Sequence, residues 1–258
     1  MHSSVTKYLC ILANIDINTS IKDNKVPIKQ FTQNDVEIIT INTKYQGFFK
    51  IEEYQLRHRL FNGGYSKTLS REIFERGDAV VLMPYDVAND AVVFVTQFRS
   101  GALKPALKPT IENQSVNNCS TKNTQSPWLI EFVAGMFNEN ENPVEVAIRE
   151  AKEEANLDIN EKDIEPIMQY LSSPGGTTEN IHLYIGYVNS IDEQGKNIAG
   201  VYGLDEEGED ILVSVVPRVE AMQLLAEGKI NNAATVIGLQ WLQLNYQRIQ
   251  IQQLNAQR

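Results

Sequence analysis

An arginine and several carboxylates recur at fixed spacing within one short stretch of the sequence, residues 135–157. Glu150, Glu153 and Glu154 stand three and four residues apart, so on a helix their carboxylates would share one face and repel one another unless a cation lay between them. A hard divalent ion such as Mg²⁺ suits that position, because it prefers oxygen ligands and is usually shared between one or two carboxylates and substrate phosphates. The spacing therefore indicates a metal and phosphate site.

The same stretch carries the signals of a helix. Asn142 before Pro143 is typical of an N-cap followed by the first helical residue. Apolar residues then recur every three or four positions as a stripe that would be buried, namely Val144, Ala147, Ile148, Ala151 and Ala155. On the charged face we expect Arg149 to pair with Glu153 or Glu141 and so to hold the ligand rotamers. The alternative is an acidic helix face that is only solvated, as most charge runs are.

This stretch resembles the Nudix box, GX5EX7REUXEEXGU with U apolar, at every position but one. The departure is Asn156, where the family has Gly. That position follows the helix and is expected to be left-handed, a conformation that Asn tolerates well. Five further segments, in the same order, resemble those of the ADP-ribose pyrophosphatases: REIFERG (71–77), LIEFVAG (129–135), SPGGTTE (173–179), GLDEEGEDI (203–211) and GKINNAATVIGLQWL (228–242).

The resemblance implies a Mg²⁺-dependent hydrolase, with Mn²⁺ as the alternative metal. Such an enzyme uses a metal-activated water to cleave the diphosphate bond of ADP-ribose, which yields AMP and ribose 5-phosphate. The metal ligands carried over to this sequence are the backbone carbonyl of Ala134 and the side chains of Glu150, Glu154 and Glu209. The catalytic group is Glu207 as general base with Arg149 and Glu153 in the box. Glu206 and Glu209 stay open as alternative bases, and a solvated loop is the simpler interpretation of the DEEGED stretch.

Substrate contacts follow from the resemblance in the same way. Arginine suits phosphate contacts because its planar fork bonds oxygens in pairs. An amphipathic segment with surface salt bridges is the alternative for the REIFER residues, and one of the two adjacent phenylalanines would point into the core. The implied contact residues are Phe48, Phe49, Arg71, Glu72, Arg76, Arg99, Met136, Ser173, Pro174, Gly175 and Glu179.

Composition narrows the class of protein. The chain has 258 residues, a formal net charge of −10 and two cysteines, Cys10 and Cys119. The negative charge argues against nucleic acid or an anionic membrane as partner, since phosphate backbones are bound chiefly through Lys and Arg. The cysteines lie apart from other metal-ligating types, so we expect a cytoplasmic protein without disulfides. The apolar run 8–15 is too short to span a membrane and is interpreted as a strand.

Strand and helix patterns alternate along the chain. Strand-like runs are predicted at 36–41, 48–61, 79–83, 91–98, 129–134, 167–171, 181–188 and 211–216, and helices at 218–226 and 233–244. The pattern predicts an α/β fold, a Nudix α/β/α sandwich with a mixed β-sheet, plus a small N-terminal β domain. We expect the N-terminal β domain and its extension to span 1–75 and the hydrolase domain 76–258, with a polar surface insertion at about 105–127.

Similar enzymes are homodimers whose N-terminal β domains exchange across the interface, so the resemblance implies a homodimer acting on a small-molecule substrate. Two other functions stay open. One is a pyrophosphatase for another nucleoside diphosphate sugar, because the box determines the reaction and not the leaving group. The other is a nucleotide-sensing module without turnover, against which the intact box carboxylates weigh.

Overall fold

The computed structural model of the chain describes residues 31–106, 126–137, 140–191 and 195–256. The strands are β1 (Val36–Gln46), β2 (Lys50–His58), β3 (Leu69–Glu75), β4 (Asp78–Asp86), β5 (Ala91–Phe98), β6 (Trp128–Glu131), β7 (Val133–Phe137), β8 (Ile164–Leu171), β9 (Asn180–Tyr187), β10 (Gly200–Tyr202) and β11 (Ile211–Pro217). The α-helices are α1 (Ser100–Ala106), α2 (Pro143–Ala155), α3 (Arg218–Ala226) and α4 (Ala233–Ala256).

The main sheet has eight strands. Six follow the order β10-β11-β5-β4-β9-β8, while β6 pairs with β5 and β7 pairs with β4. The pairing of β4 with β9 is parallel, and the other pairings of this sheet are antiparallel. The sheet is therefore mixed, as the sequence predicts.

Helices cover both faces of this sheet. Along β4, Val80 and Leu82 belong to the cluster that includes α2, whereas Val81 and Met83 belong to the cluster that includes α4. The α2 residues of that cluster are Val146, Ala147, Ala151 and Ala155, so Val146 replaces the predicted Val144 and Ile148 in the buried stripe. Alternate residues of a strand point to opposite faces, so α2 packs on one face and α4 on the other. The predicted α/β/α sandwich is confirmed.

The chain divides into two compact units. One comprises Met1–Ile41 and Tyr54–Ser70, and the other comprises Asn42–Glu53 and Arg71–Arg258. In the first unit, Asp35 pairs with Arg59. The strands β1, β2 and β3 form a three-stranded sheet in that order.

The single strand predicted at 129–134 is wrong, because this run forms two strands with different partners. β6 pairs with β5, and β7 pairs with β4. Between them Phe132 is 1% exposed and stacks on Phe94, with ring centroids 5.6 Å apart. A Cβ added at Gly238 of α4 would come within 2.5 Å of the Phe132 ring, so α4 needs glycine there to pack this closely. The change of partner brings Ala134 and Gly135 under α2.

Other boundaries differ in ways that depend on packing. Helix α3 occupies the predicted residues, but α4 continues twelve residues beyond the predicted end at 244, to Ala256. Strand β3 forms where only a motif was recognised, and α1 and the short β10 were not predicted. The strand predicted at 8–15 and residues 107–125 of the insertion lie outside the described residues.

A buried carboxylate holds the turn between β4 and β5. Asp86 is 1% exposed and accepts hydrogen bonds from the backbone and side chain of both Asn89 and Ser190, at 2.6–3.0 Å. Burial acts to raise the pKa of Asp86, but these hydrogen bonds outweigh burial, and the pKa lies below its usual value. The ionised form therefore stabilises the fold.

Replacing this carboxylate by an amide (Asp86→Asn) should lower the free energy of unfolding by about 1–3 kcal/mol near pH 7, because buried donors lose their acceptor. The folded-state pKa is below the unfolded one, so the contribution is complete above about pH 4 and is lost as pH falls through the folded-state pKa. Melting temperatures of both proteins between pH 3 and pH 7 measure this. A difference that stays constant over that range would contradict the interpretation.

Candidate active site

Helix α2 begins and ends where its sequence predicts. The Asn142 side chain accepts a hydrogen bond from the Val144 backbone N–H at 3.0 Å, and Pro143 is the first helical residue. At the other end Asn156 is left-handed, with φ 50° and ψ 34°. Its N–H and that of Leu157 donate to the carbonyls of Lys152 and Ala151, both at 3.0 Å. These caps place the last helical turn, which carries the carboxylates, against the sheet.

Because Asn156 already adopts the conformation that glycine favours, Asn156→Gly should leave kcat/KM and Tm nearly unchanged. At a left-handed position, relief of side-chain strain offsets the larger entropy that glycine has in the unfolded chain. Steady-state kinetics and a thermal melt of the variant measure both quantities. A large loss in either would show that the Asn156 side chain has a separate task.

Glu154 is the most deeply buried carboxylate of the box, at 3% exposure. Its Oε2 accepts a hydrogen bond from the Ala134 backbone N–H at 3.0 Å, and its Oε1 accepts one from Gln97 Nε2 at 3.3 Å. Burial raises the pKa of Glu154 to about 8, the Ala134 N–H opposes that rise, and the neighbouring charge of Glu150 adds to it. A nearby cation would therefore stabilise the ionised form of the Glu154 side chain.

Glu150 lies one helical turn away, over Gly135. A Cβ added at Gly135 would come within 2.2 Å of Glu150 Oε1, so the glycine makes the space that this carboxylate occupies. Burial raises the pKa of Glu150 to about 7, Arg149 opposes the rise, and Glu153 and Glu209 add to it. Two neighbouring acids are thus held in an environment that disfavours their negative charge.

Arg149 spans two of the box carboxylates. It donates from Nη2 to Glu150 Oε1 at 2.8 Å and from Nη1 to Glu153 Oε2 at 2.7 Å. The predicted partnership with Glu153 is confirmed, and Glu150 is a partner that the sequence analysis did not name. The fork fixes the rotamer of Glu150 at its contact with Gly135.

The donor set fits a divalent metal of the Mg²⁺ type. Glu150 and Glu154 offer carboxylate oxygens beside the Ala134 backbone. A bound cation would offset the cost of shielding their negative charges from water and would reduce the repulsion between them. Among the described residues no group of three or more His, Cys, Asp or Glu side chains forms a ready-made metal cage. Two carboxylates suit a hard divalent ion, which is usually shared between one or two carboxylates and substrate phosphates.

The acidic loop before β11 brings one carboxylate to the box. Gly203 (φ 109°) packs against Glu209, and Glu209 Oε2 accepts a hydrogen bond from the Leu204 N–H at 3.2 Å. The charge of Glu209 also raises the pKa of Glu150, so Glu209 lies within electrostatic range of that carboxylate. Glu207 lies exposed in a short 3-10 helix at Asp205–Glu207, and no side-chain contact joins it to the box within the part of the chain that the structure describes.

Two predicted arginines have carboxylate partners. Arg99 follows β5 and donates from Nε to Glu131 Oε2 at 2.7 Å, and its charge acts on Glu154. Arg76 pairs with Glu179 Oε1 at 3.1 Å, and Glu179 is 7% exposed. Arg99 therefore lies within electrostatic range of the box carboxylate Glu154. Arg76 and Glu179 form a second group of predicted substrate contacts.

The second group also contains predicted aromatic residues. The Arg76 guanidinium lies 5.6 Å from the Phe49 ring centroid, and Phe49 packs edge to face with both Phe48 and Phe74. Phe48 is 86% exposed, so Phe49 is the one that faces inward.

The remaining predicted contacts lie on loops and strand ends. Arg71 and Glu72 are exposed on β3, and Met136 is partly exposed on β7. Ser173, Pro174 and Gly175 form an exposed turn, in which the Ser173 carbonyl accepts hydrogen bonds from the backbone N–H groups three and four residues later, those of Gly176 and Thr177. The sequence analysis did not identify Gln97 and Glu131, which hold Glu154 and Arg99.

Comparisons with known proteins agree with this site. The NUDIX domain model matches residues 114–236. ADP-ribose pyrophosphatases of Escherichia coli and Shigella flexneri are 44% identical over 229 residues, which cover 89% of this chain and 97% of the relative. That of Haemophilus influenzae is 42% identical over 223 residues, covering 86% and 93%.

Two matches have lower sequence identity to this chain. The GDP-mannose pyrophosphatase of Yersinia enterocolitica is 27% identical over 210 residues, covering 81% of this chain and 96% of that protein. A crystal structure described as an ADP compounds hydrolase aligns with a TM-score of 0.53 at 17% identity, over 83% of this chain and 95% of that one, and supports the fold alone.

An α/β/α sandwich in which α2 carries the paired carboxylates of the Nudix box is characteristic of the Nudix class of hydrolases. The chain belongs to the Nudix family, and it is a pyrophosphohydrolase of that family. None of the helices within the described ranges is long and apolar enough to cross a membrane.

Proposed function

We propose that this enzyme hydrolyses the diphosphate bond of ADP-ribose to AMP and ribose 5-phosphate, with Mg²⁺ as its metal and Mn²⁺ as the alternative. The observation that carries the proposal is the pairing of Glu150 with the buried Glu154 beside Ala134 and Gly135, in a chain 44% identical to proteins named ADP-ribose pyrophosphatase. A diphosphate repels an attacking water, and its leaving phosphate carries negative charge. A bound divalent ion would withdraw charge from the phosphoryl oxygens and lower the pKa of water.

The residues of this chain then have distinct tasks. Glu150 and Glu154 would hold the metal, because both carboxylates lie at Ala134 and Gly135 of β7, and the Ala134 carbonyl and Glu209 would be the further ligands. Arg149 and Glu153 keep Glu150 in its rotamer through the fork described above. These assignments leave the attacking water to be deprotonated by a further base.

For that base we propose Glu207, with Glu206 and Glu209 as the alternatives. Glu207 lies two residues before Glu209, which is within electrostatic range of Glu150, and Gly208 between them has φ 69°. A base needs reach to the water more than a perturbed pKa. A rotation of this exposed loop about Gly208 would supply that reach.

Substrate contacts are proposed at both groups of side chains. Arg99 beside Glu154 would bind the diphosphate, with Met136 nearby on β7, while Arg76, Glu179 and Phe49 would hold the nucleoside. Edge-exposed rings and guanidinium groups suit a base and its sugar, because they offer stacking faces and fixed donors. The further proposed contacts are Phe48, Arg71, Glu72, Ser173, Pro174 and Gly175.

We also propose that the protein is a cytoplasmic homodimer in which the N-terminal β domain, 1–75, provides the dimer contact and 76–258 the hydrolase domain. In the first compact unit Ile38, Ile39 and Ile41 are exposed on a strand. Ile39 and Ile41 share one face of that strand, and neighbouring exposed apolar side chains are typical of surfaces that another chain covers. Size-exclusion chromatography with light scattering tests this, and a monomer at micromolar concentration would contradict it.

The second candidate function is hydrolysis of another nucleoside diphosphate sugar, which the 27% identity to a GDP-mannose pyrophosphatase supports. Product analysis by chromatography decides between them. Wild type and Glu154→Gln would be incubated with ADP-ribose, ADP-glucose, GDP-mannose, NADH and diadenosine polyphosphates in Mg²⁺. We expect AMP and ribose 5-phosphate, chiefly from ADP-ribose and only with wild type. Preference for another compound would replace the substrate, and binding of ADP-ribose without any product would favour a sensing module.

A further inference from the structure

The ion pair between Arg99 and Glu131 crosses two strands of the main sheet. β5 and β6 are antiparallel, with Val95 opposite Glu131 and Phe98 opposite Trp128. Arg99 therefore lies past the end of this pairing, and its side chain must run back along the strands to reach Glu131. The Nε–Oε2 distance of 2.7 Å shows that it does so.

This path brings the guanidinium to the box carboxylates. Residues 95, 97 and 99 alternate onto one face of β5, and on that face Gln97 donates to Glu154. The charge of Arg99 also acts on Glu154. Arg99 thus pairs with the largely shielded acid of β6 and lies within electrostatic range of the acid of α2.

The ion pair with Glu131 engages the Nε end of the Arg99 guanidinium. Within the described residues, the Arg99 side chain has its hydrogen bond to Glu131 through Nε. Its Nη1 and Nη2 groups have no partner among those residues, and the side chain is 40% exposed. A guanidinium held at Nε presents two parallel N–H donors, the fork that matches two oxygens of a phosphate. The Glu131 side chain is only 13% exposed, so it is itself shielded from competing water.

We propose that Glu131 is a positioning residue for the hydrolytic reaction. It holds the Arg99 guanidinium on the side of the sheet that faces the Glu154 carboxylate, with Nη1 and Nη2 directed at the substrate diphosphate. This inference rests on the proposed function, because it takes Arg99 to be a diphosphate contact. Without Glu131, the long Arg99 side chain would have to be ordered by each substrate molecule at an entropic cost.

A double-mutant cycle on Glu131 and Arg99 tests the inference. We expect Glu131→Gln to lower kcat/KM about tenfold and Arg99→Ala to lower it by about a hundredfold. In the Arg99→Ala background, Glu131→Gln should then change kcat/KM less than about twofold, because no guanidinium is left to position. Equal losses in the two backgrounds, or an Arg99→Ala variant with unchanged kcat/KM, would overturn the proposal.

Additional readouts separate positioning from folding. Glu131→Asp keeps the charge but shortens the side chain, so it should retain more activity than Glu131→Gln, while Mn²⁺ affinity and Tm stay close to wild type. Glu227→Gln is the matched control, because it removes the exposed partner of Lys229 far from the box in sequence and should leave kcat/KM unchanged. A Glu131→Gln variant that loses Mn²⁺ affinity in proportion to activity would overturn the positioning role.

The cycle also separates this inference from the proposed function. Equilibrium binding of ADP-ribose would be measured on the four proteins of the cycle, namely wild type, Glu131→Gln, Arg99→Ala and the double variant. The kinetic cycle would use whichever nucleoside diphosphate sugar the wild type hydrolyses. Coupling between the two residues with a different substrate would retain the inference and replace ADP-ribose. Absence of coupling in both binding and turnover, with ADP-ribose hydrolysed by wild type, would overturn the inference and leave the proposed function intact.

Discussion

Replacing Glu154 by glutamine should lower kcat/KM for ADP-ribose by at least about a hundredfold while leaving the Tm of the metal-free protein equal or higher. A metal ion contributes about several kcal/mol to charge stabilisation in the transition state, and each 1.36 kcal/mol is about tenfold in rate. The amide keeps the size of this side chain, which is 3% exposed, but it cannot ionise to bind a metal ion. Steady-state kinetics and thermal melts with and without Mg²⁺ measure the two effects.

The stability half of this prediction has a specific reason. In wild type both Glu154 oxygens accept hydrogen bonds, from the Ala134 N–H and from Gln97. In the variant the new amide can keep the Ala134 contact through its oxygen, and Gln97 can turn its own oxygen toward the new NH₂. Glu145→Gln, on the exposed first turn of the same helix, is the matched control and should retain activity. Full activity in Glu154→Gln, or a Tm that falls by many degrees, would contradict this account.

Adding one methyl group at Gly135 should strongly lower the activity of the enzyme without unfolding it. In Gly135→Ala the new Cβ would come within 2.2 Å of Glu150 Oε1 and 2.4 Å of its Cδ and Cγ. The neighbour is the flexible end of a side chain, so the Glu150 carboxylate should rotate away while the strand pairing of Gly135 with Val80 persists. We expect a loss in kcat/KM of about tenfold to a hundredfold with weaker Mn²⁺ binding, since displaced ligands and their supports cost that much.

The control for Gly135→Ala is Gly101→Ala in α1, where an added Cβ meets nothing within 4 Å. That variant should match wild type in kcat/KM and Tm. If Gly135→Ala melted far below wild type, β7 would have moved and the change could not be assigned to Glu150. If it kept full activity and metal affinity, Glu150 would not be a ligand in the position described.

The helix that carries the carboxylates could be predicted from sequence because its signals are local. Asn142 and Pro143 set its beginning, and Asn156 has the left-handed conformation expected at its end. The facing of Glu150 and Glu154 follows from helical geometry alone. Local capping and periodicity therefore sufficed for the centre of the site.

Strand partners could not be predicted in the same way. The apolar run 129–134 reads as one strand, but it changes partner at Phe132, and the change depends on Phe94 and on the close approach of α4 at Gly238. The extension of α4 beyond residue 244 likewise lies in a glutamine-rich stretch with weak periodicity, although Ile249 there is fully buried. These features are tertiary, and no local signal reports them.

The supporting side chains were missed for a related reason. Gln97 is a buried polar residue in the otherwise apolar strand β5, and that mismatch is a signal that could have marked it, because buried polar groups need partners. The role of Glu131 could not be read from the sequence, because its partner Arg99 lies four residues beyond the residue that pairs with Glu131 in the sheet. In the acidic loop the sequence alone could not place Glu207 and Glu209, since their positions depend on a loop backbone in which Gly203 and Gly208 have positive φ.

The most direct measurement is an anomalous-scattering map from a crystal of the wild-type enzyme grown with Mn²⁺ and AMP. Our account predicts a metal peak at bonding distance from the Glu150 and Glu154 carboxylates and the Ala134 carbonyl, and no such peak in Glu154→Gln. A peak coordinated elsewhere, or a Glu154→Gln crystal with the same peak and full activity, would contradict the assignment of this carboxylate pair as the metal site.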